Sequence, residues 1–412
     1  MLIGAGDVLV AGHHGIKTVA AIGIANGISS PIFLIGIGLL LGISPLLSKK
    51  RGESKDVASY FYTSIIYAII IGVAFMLLTI FSIPIIKYLG FDKELIPLIK
   101  DYLFIVSFSY VGSYIFLAIK EYLQATENVV FANVISVIAV FTHVALDYVL
   151  VFGIFIFPEL GVRGLAYATI ITRFAMALIL FIYSKRHNRT KFSFISDFAK
   201  RVFKFSLPIS LSFFIEVLAF SVIMVMIGRI GSLYAAVHNI ALTIGSTTYM
   251  VPLSISSAAA VKISYFYGKK DFKKMKEFIK AALILSTVFM TFSSLCLYLF
   301  PETVLGIFTS DRQVIVVGTS VIIVCAISQI FDGAQVTLAG VLRGLGITKP
   351  TFIVVVIGYW LIGIPFGYYF GYVLKLNALG FWIGLTLSLI AIAAFLFTYL
   401  VIVIKRIKLF DV

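Results

Sequence analysis

Eleven stretches of this chain are each long and apolar enough to cross a bilayer, and that property decides the fold class before any motif is read. They run approximately over 19–47, 57–89, 97–119, 129–152, 164–183, 205–228, 233–263, 278–300, 314–339, 350–374 and 378–404. A spanning helix needs about 20 apolar residues. Lipid offers the backbone no hydrogen-bond partners, so such runs must be helices, which satisfy N–H and C=O internally. A further stretch at 2–12 reaches only about half of a ~30 Å hydrocarbon core at 1.5 Å per residue. Composition agrees, with 61% hydrophobic and 12% charged residues, against about 25% charged in soluble proteins. That excludes a soluble enzyme, a disordered scaffold and a nucleic-acid binder, despite a net charge of +15. The expected fold is all-α integral membrane, about 12 spans with the first truncated. The short start leads to the expectation that the reading frame begins upstream of Met1.

Basic side chains assign the membrane faces. Connectors 48–56, 120–128, 184–204, 262–280, 341–350 and 405–412 hold 24 of the 33 Lys and Arg residues, the alternate connectors hold 8, and Arg173 lies within a span. Positive charge marks the cytoplasmic side, so the C-terminus is expected inside, in a multi-pass protein of the cell membrane. A shift of 216 residues lays Gly12, Gly15, Ala20, Ala25 and Gly52 on Gly228, Gly231, Ala236, Ala241 and Gly268. The shift contains an even number of spans, so both halves enter the membrane in the same sense. The expected organisation is two six-helix lobes in parallel pseudo-repeat, 1–183 and 205–404, joined by a basic cytoplasmic linker at 184–204 and followed by a tail at 405–412. Parallel halves with a substrate site at their interface are a transporter architecture.

Ionisable side chains inside spans cost several kcal/mol unless paired or wet, which marks each as a functional candidate. Six lie well inside: Asp7, His143, Asp147, Arg173, Glu216 and Asp332. The others lie near span ends and are expected to snorkel. Glu216 and Asp332 are the chief candidates, since a carboxylate can exchange a proton or offer anionic ligands to Na⁺ as access alternates. Asp7 would serve the first half in a similar way. His143 and Asp147, spaced i, i+4, share one helix face, as a relay or a structural pair. Arg173 is most simply a counter-ion to one of these acids. His13 and His14 are too near a helix end to support a metal site, and His238 reads as a packed polar residue. Gly23/Gly27, Gly38/Gly42, Gly340/Gly344, Gly363/Gly367 and Gly367/Gly371 are spaced for close helix contact. Cys296 and Cys325, inside apolar runs, form no metal or redox motif. There is no GxxxxGK[ST] phosphate loop, HExxH or Gly-x-Ser-x-Gly motif, so the energy source is expected to be an ion gradient. No enzymatic activity, cofactor or bound metal is expected, and a monomer is.

Four segments carry a resemblance: Asp7–Gly12 (DVLVAG), Ala235–Thr243 (AAVHNIALT) with MVPLSISSAAAVKISYFYG following, Asp332–Gly344 (DGAQVTLAGVLRG), and GVRGLAYAT at 161–169. Taken in their order along the chain, across essentially its whole length, they resemble the multidrug and toxic compound extrusion (MATE) family. The resemblance implies a V-shaped pair of six-helix lobes that exports organic, often cationic, compounds by Na⁺ or H⁺ antiport. Glu216, spaced after Leu207-Pro208-Ile209, matches the seventh-span glutamate of the NorM branch and argues against the DinF-like branch. Asp332 matches that branch's tenth-span aspartate and Asp7 its first-span aspartate. A tyrosine expected one turn before the tenth-span aspartate is replaced by Ser328. With Gln335, Ser328 joins His143, Asp147 and Arg173 as a candidate for the substrate cavity or relay. The alternatives are a lipid-linked oligosaccharide flippase of the related superfamily and a membrane-embedded transferase. Small organic substrates, Na⁺ or H⁺ and the bilayer are the expected partners, with no nucleic acid.

Overall fold

The computed structural model describes residues 2–154, 157–187 and 191–408 and is helical, with no strand among the described residues. The first part of the chain forms α1 (Leu2–His14), α2 (Ile16–Leu40), α3 (Ile43–Gly52), α4 (Phe61–Ser82), α5 (Leu95–Ala125), α6 (Val130–Phe152), α7 (Val162–His187) and α8 (Ser196–Ile230). The rest forms α9 (Ser232–Gly268), α10 (Phe272–Leu299), α11 (Pro301–Phe308), α12 (Arg312–Gly344), α13 (Lys349–Val356), α14 (Ile364–Tyr368) and α15 (Asn377–Lys408). Two compact units divide the chain, Met1–Ser210 and Leu211–Val412, and the division falls inside α8. Residues 196–204 of the basic stretch are the first turns of that helix.

Among the described residues, ten helical segments are long and apolar enough to cross a membrane. The run expected at 233–263 is α9, whose 37 residues give ample length but which is too polar to be counted with them. The cause is a stripe of Asn239, Thr243, Thr247 and Ser254, all exposed and spaced to share one helix face. Elsewhere the exposed residues include Leu78, Phe104, Phe141, Phe292 and Phe395, the surface a bilayer stabilises.

In the first unit α5 is central, packing on α7, α4, α2 and α3, while α1 lies against α6 and α2. In the second, α12 packs on α9, α10 and α15. α2 and α9 begin at Ile16 and Ser232, 216 residues apart, each after a glycine (Gly15 φ 147°, Gly231 φ 161°). Helix ends follow local chemistry. The Asp271 carboxylate accepts from the Lys274 amide at 3.0 Å to open α10, and Asp311 from the Gln313 amide at 2.8 Å to open α12.

Two π-helical stretches, Ile357–Gly363 and Tyr369–Val373, flank α14. Pro365 has no N–H, so it cannot bond the carbonyl four residues back, and the helix widens around the defect. Glycine spacing has mixed outcomes. A Cβ on Gly344 would come 2.9 Å from the Ala260 carbonyl oxygen, so Gly340/Gly344 is a genuine close approach of α12 to α9. Gly23 and Gly27 meet nothing within 4 Å, which corrects the expectation that they seat a helix.

Candidate functional site

In the first unit, α1 and α6 bring Asp7, His143 and Asp147 together. Gly6 lets α1 approach α6 closely, since a Cβ there would come 2.7 Å from Val144 Cγ2. The next residue, Asp7, is thereby set against His143, whose Nε2 donates to Asp7 Oδ1 at 2.7 Å. The same Nε2 is 3.2 Å from Asp147 Oδ2, one turn further along α6. His143 Nδ1 meets Thr172 Oγ1 of α7 at 3.1 Å. His143 and Asp147 are fully buried and Asp7 is 4% exposed. No donor reaches the Asp147 carboxylate in hydrogen-bond geometry among the described residues. A ligand atom from each of the three side chains lies within 4.8 Å of the others. The ring fits two proton states. When neutral, it donates to Asp7 and accepts the Thr172 hydroxyl at Nδ1; when protonated, it donates from both nitrogens.

In the second unit, Glu216 on α8 accepts a hydrogen bond from Tyr359 Oη at 2.9 Å. Tyr359 is buried in the first π-helical stretch and also accepts from Gln335 Nε2 of α12 at 3.3 Å. Next to it, Trp360 Nε1 donates to the Ile215 carbonyl at 3.2 Å, tying the stretch to α8 beside Glu216. The Phe220 ring lies 5.7 Å from the Tyr359 ring. Asp332 is partly buried and lies within Coulombic reach of Glu216. The two acids thus share one electrostatic neighbourhood walled by aromatic rings.

Other sequence candidates sit differently. Ser328 is buried and donates to the Cys325 carbonyl in its own helix at 2.7 Å. Arg173 is no counter-ion in contact, because none of the ion pairs among the described residues includes it. It lies on Ser109 and Phe33. Glu121, assigned by sequence to a snorkelling span end, is buried and accepts a hydrogen bond from Ser44 Oγ. His238 is buried edge-on to Trp382, their ring centroids 5.8 Å apart. His14, at the end of α1, meets Thr18 Oγ1 at 2.7 Å and Glu159 Oε1 at 3.2 Å.

Buried acids on spanning helices mark ion and substrate pathways, so fold and clusters together define the class of helical membrane transporters. The MatE family profile matches residues 1–149 and 208–369, and the chain belongs to that family. It is 27% identical over 410 residues to a probable multidrug resistance protein NorM of Photorhabdus laumondii, covering 96% of this chain and 90% of the relative. To the multidrug resistance protein NorM of Vibrio cholerae it is 28% identical over 405 residues, covering 95% and 89%. In fold it is similar to a eukaryotic MATE transporter, AtDTX14, with a TM-score of 0.85 at 22% identity over 97% of this chain and 91% of that one. A transporter of the MOP superfamily from Pyrococcus furiosus gives 0.87 at 19% identity, over 99% and 94%.

Proposed function

We propose that this protein is a proton-coupled antiporter that exports organic compounds bearing positive charge, from the cytoplasm across the cell membrane, with its C-terminus inside. Export of drugs follows from the multidrug resistance relatives, and the +15 net charge concentrated on one set of connectors supports the orientation. One observation carries the choice of ion. His143 Nε2 occupies the point where the carboxylates of Asp7 and Asp147 converge, at 2.7 and 3.2 Å. A hard cation takes oxygen ligands and would have to displace that nitrogen, whereas a proton is held by the imidazole where it stands. Glu216, Tyr359 and Asp332 form the second coupling cluster, where the aromatic walls supply cation–π contacts to cargo. The exposed polar stripe of α9 supports a hydrated surface in the same unit.

The test is ethidium transport in proteoliposomes with ΔpH and ΔpNa imposed separately. ΔpH alone drives uptake of ethidium against its gradient, and His143→Gln abolishes it. Transport driven by ΔpNa at constant pH, or full activity of His143→Gln, would refute proton coupling at this site.

A further inference from the structure

Arg173 is the charged group that neither coupling cluster absorbs. It is the twelfth of the 26 residues of α7, about 17 Å along the helix axis and therefore at mid-span. Nη1 donates to Ser109 Oγ of α5 at 2.9 Å, and the guanidinium lies over the Phe33 ring of α2 at 4.7 Å. No carboxylate is in ion-pair contact with it among the described residues. A guanidinium has five N–H donors in a planar fork, so an edge remains unused, and the side chain is partly exposed.

Its surroundings do not use that edge. Tyr110 Oη is committed to the Ser29 carbonyl at 3.2 Å, and Tyr114 Oη to the Phe33 carbonyl at 2.9 Å. The Tyr114 ring stacks on Phe33 with centroids 5.3 Å apart, which fixes the aromatic shelf beneath the guanidinium. A cation held by one hydroxyl and one ring face in mid-membrane is poorly stabilised. It becomes well stabilised when a planar oxyanion meets its free edge.

We propose that Arg173, Phe33 and Ser109 form a carboxylate-binding subsite in the first unit, which selects aromatic acids and zwitterions among the exported compounds. The guanidinium pairs with the carboxylate, and the shelf stacks the adjoining ring. The neighbouring residue Thr172 holds His143, and Arg173 lies within Coulombic reach of Asp7. The subsite therefore adjoins the first coupling cluster through Thr172. The proposal rests on the export reading above.

The experiment is equilibrium binding to the purified full-length protein of ciprofloxacin, its methyl ester and ethidium. Wild-type protein binds the acid about tenfold more tightly than the ester, the size expected of one charge-assisted pair. Arg173→Gln erases that preference by weakening the acid, leaving ester and ethidium within twofold, and Arg173→Lys keeps part of it. Equal wild-type affinity for acid and ester overturns the proposal whether or not the variants fold. Uniform weakening of all three ligands by Arg173→Gln overturns it too. Because binding needs no gradient, a wild-type protein that retains the acid–ester preference but exports no ethidium refutes the export reading alone.

Discussion

Replacing Gly6 by alanine places a methyl where the packing of α1 on α6 leaves no room. The new Cβ would stand 2.7 Å from Val144 Cγ2, whereas ordinary contact begins at 3.4 Å. One helix must therefore retreat by about 0.7 Å, since the β-branched Val144 has little rotamer freedom with which to yield. Taken along the Asp7–His143 axis, that movement lengthens a 2.7 Å hydrogen bond to about 3.4 Å, outside the useful range. Overpacking costs roughly 1–3 kcal/mol, and the lost charge-assisted bond about 1.5–3 kcal/mol. With tenfold per 1.4 kcal/mol, ΔpH-driven ethidium transport should fall at least about tenfold. The assay is a double-mutant cycle in proteoliposomes: Gly6→Ala, Val144→Ala and both together. Val144→Ala removes the obstructing methyl, so the double variant should recover most of the activity. Near wild-type transport by Gly6→Ala, or no rescue in the double variant, would show that the glycine does not set the Asp7–His143 distance.

Three further outcomes follow from contacts described above. Tyr359→Phe keeps the ring but removes the hydroxyl shared by Glu216 and Gln335; it should destabilise the second unit by about 2 kcal/mol, seen as a lowered thermal midpoint in detergent at fixed scan rate. An unchanged midpoint would mean that the phenol does not stabilise the acid. Thr172→Val removes the partner of His143 Nδ1 without changing volume, and should slow ΔpH-driven transport severalfold while Thr172→Ser preserves it. Gly344→Leu meets the backbone of α9, which cannot swing aside as a side chain can, and should eliminate the monodisperse peak in size-exclusion chromatography.

The fold was legible because lipid permits few solutions: apolar runs of spanning length must be helices. Asp7, His143 and Asp147 were visible because each is an ionisable residue in an apolar stretch, and i, i+4 spacing already put two of them on one face. Their partner Thr172 was not, since a threonine in a membrane helix commonly bonds its own backbone, and only the α6–α7 contact turns it to the imidazole. Tyr359 escaped notice for a related reason. Its aim at Glu216 depends on the π-helical widening before Pro365, which shifts the side-chain register away from the 3.6-residue spacing that sequence reading assumes. Glu121 was misjudged because distance from a span end says nothing of what packs above it, here α3 with Ser44. The α9 stripe was overlooked because scattered Asn, Thr and Ser still leave a run that reads as apolar until their shared face is seen.

That stripe bears on how the chain is made. A segment leaves the translocon for lipid according to its own hydrophobicity, and α9 with Asn239, Thr243, Thr247 and Ser254 facing outward is the weakest candidate among the long helices. Its extensive contacts are with α12 and α10, both synthesised after it. Insertion of α9 thus depends on helices still to emerge from the ribosome, so a nascent chain halted before Gly344 should leave α9 poorly retained in the bilayer and open to quality-control proteolysis.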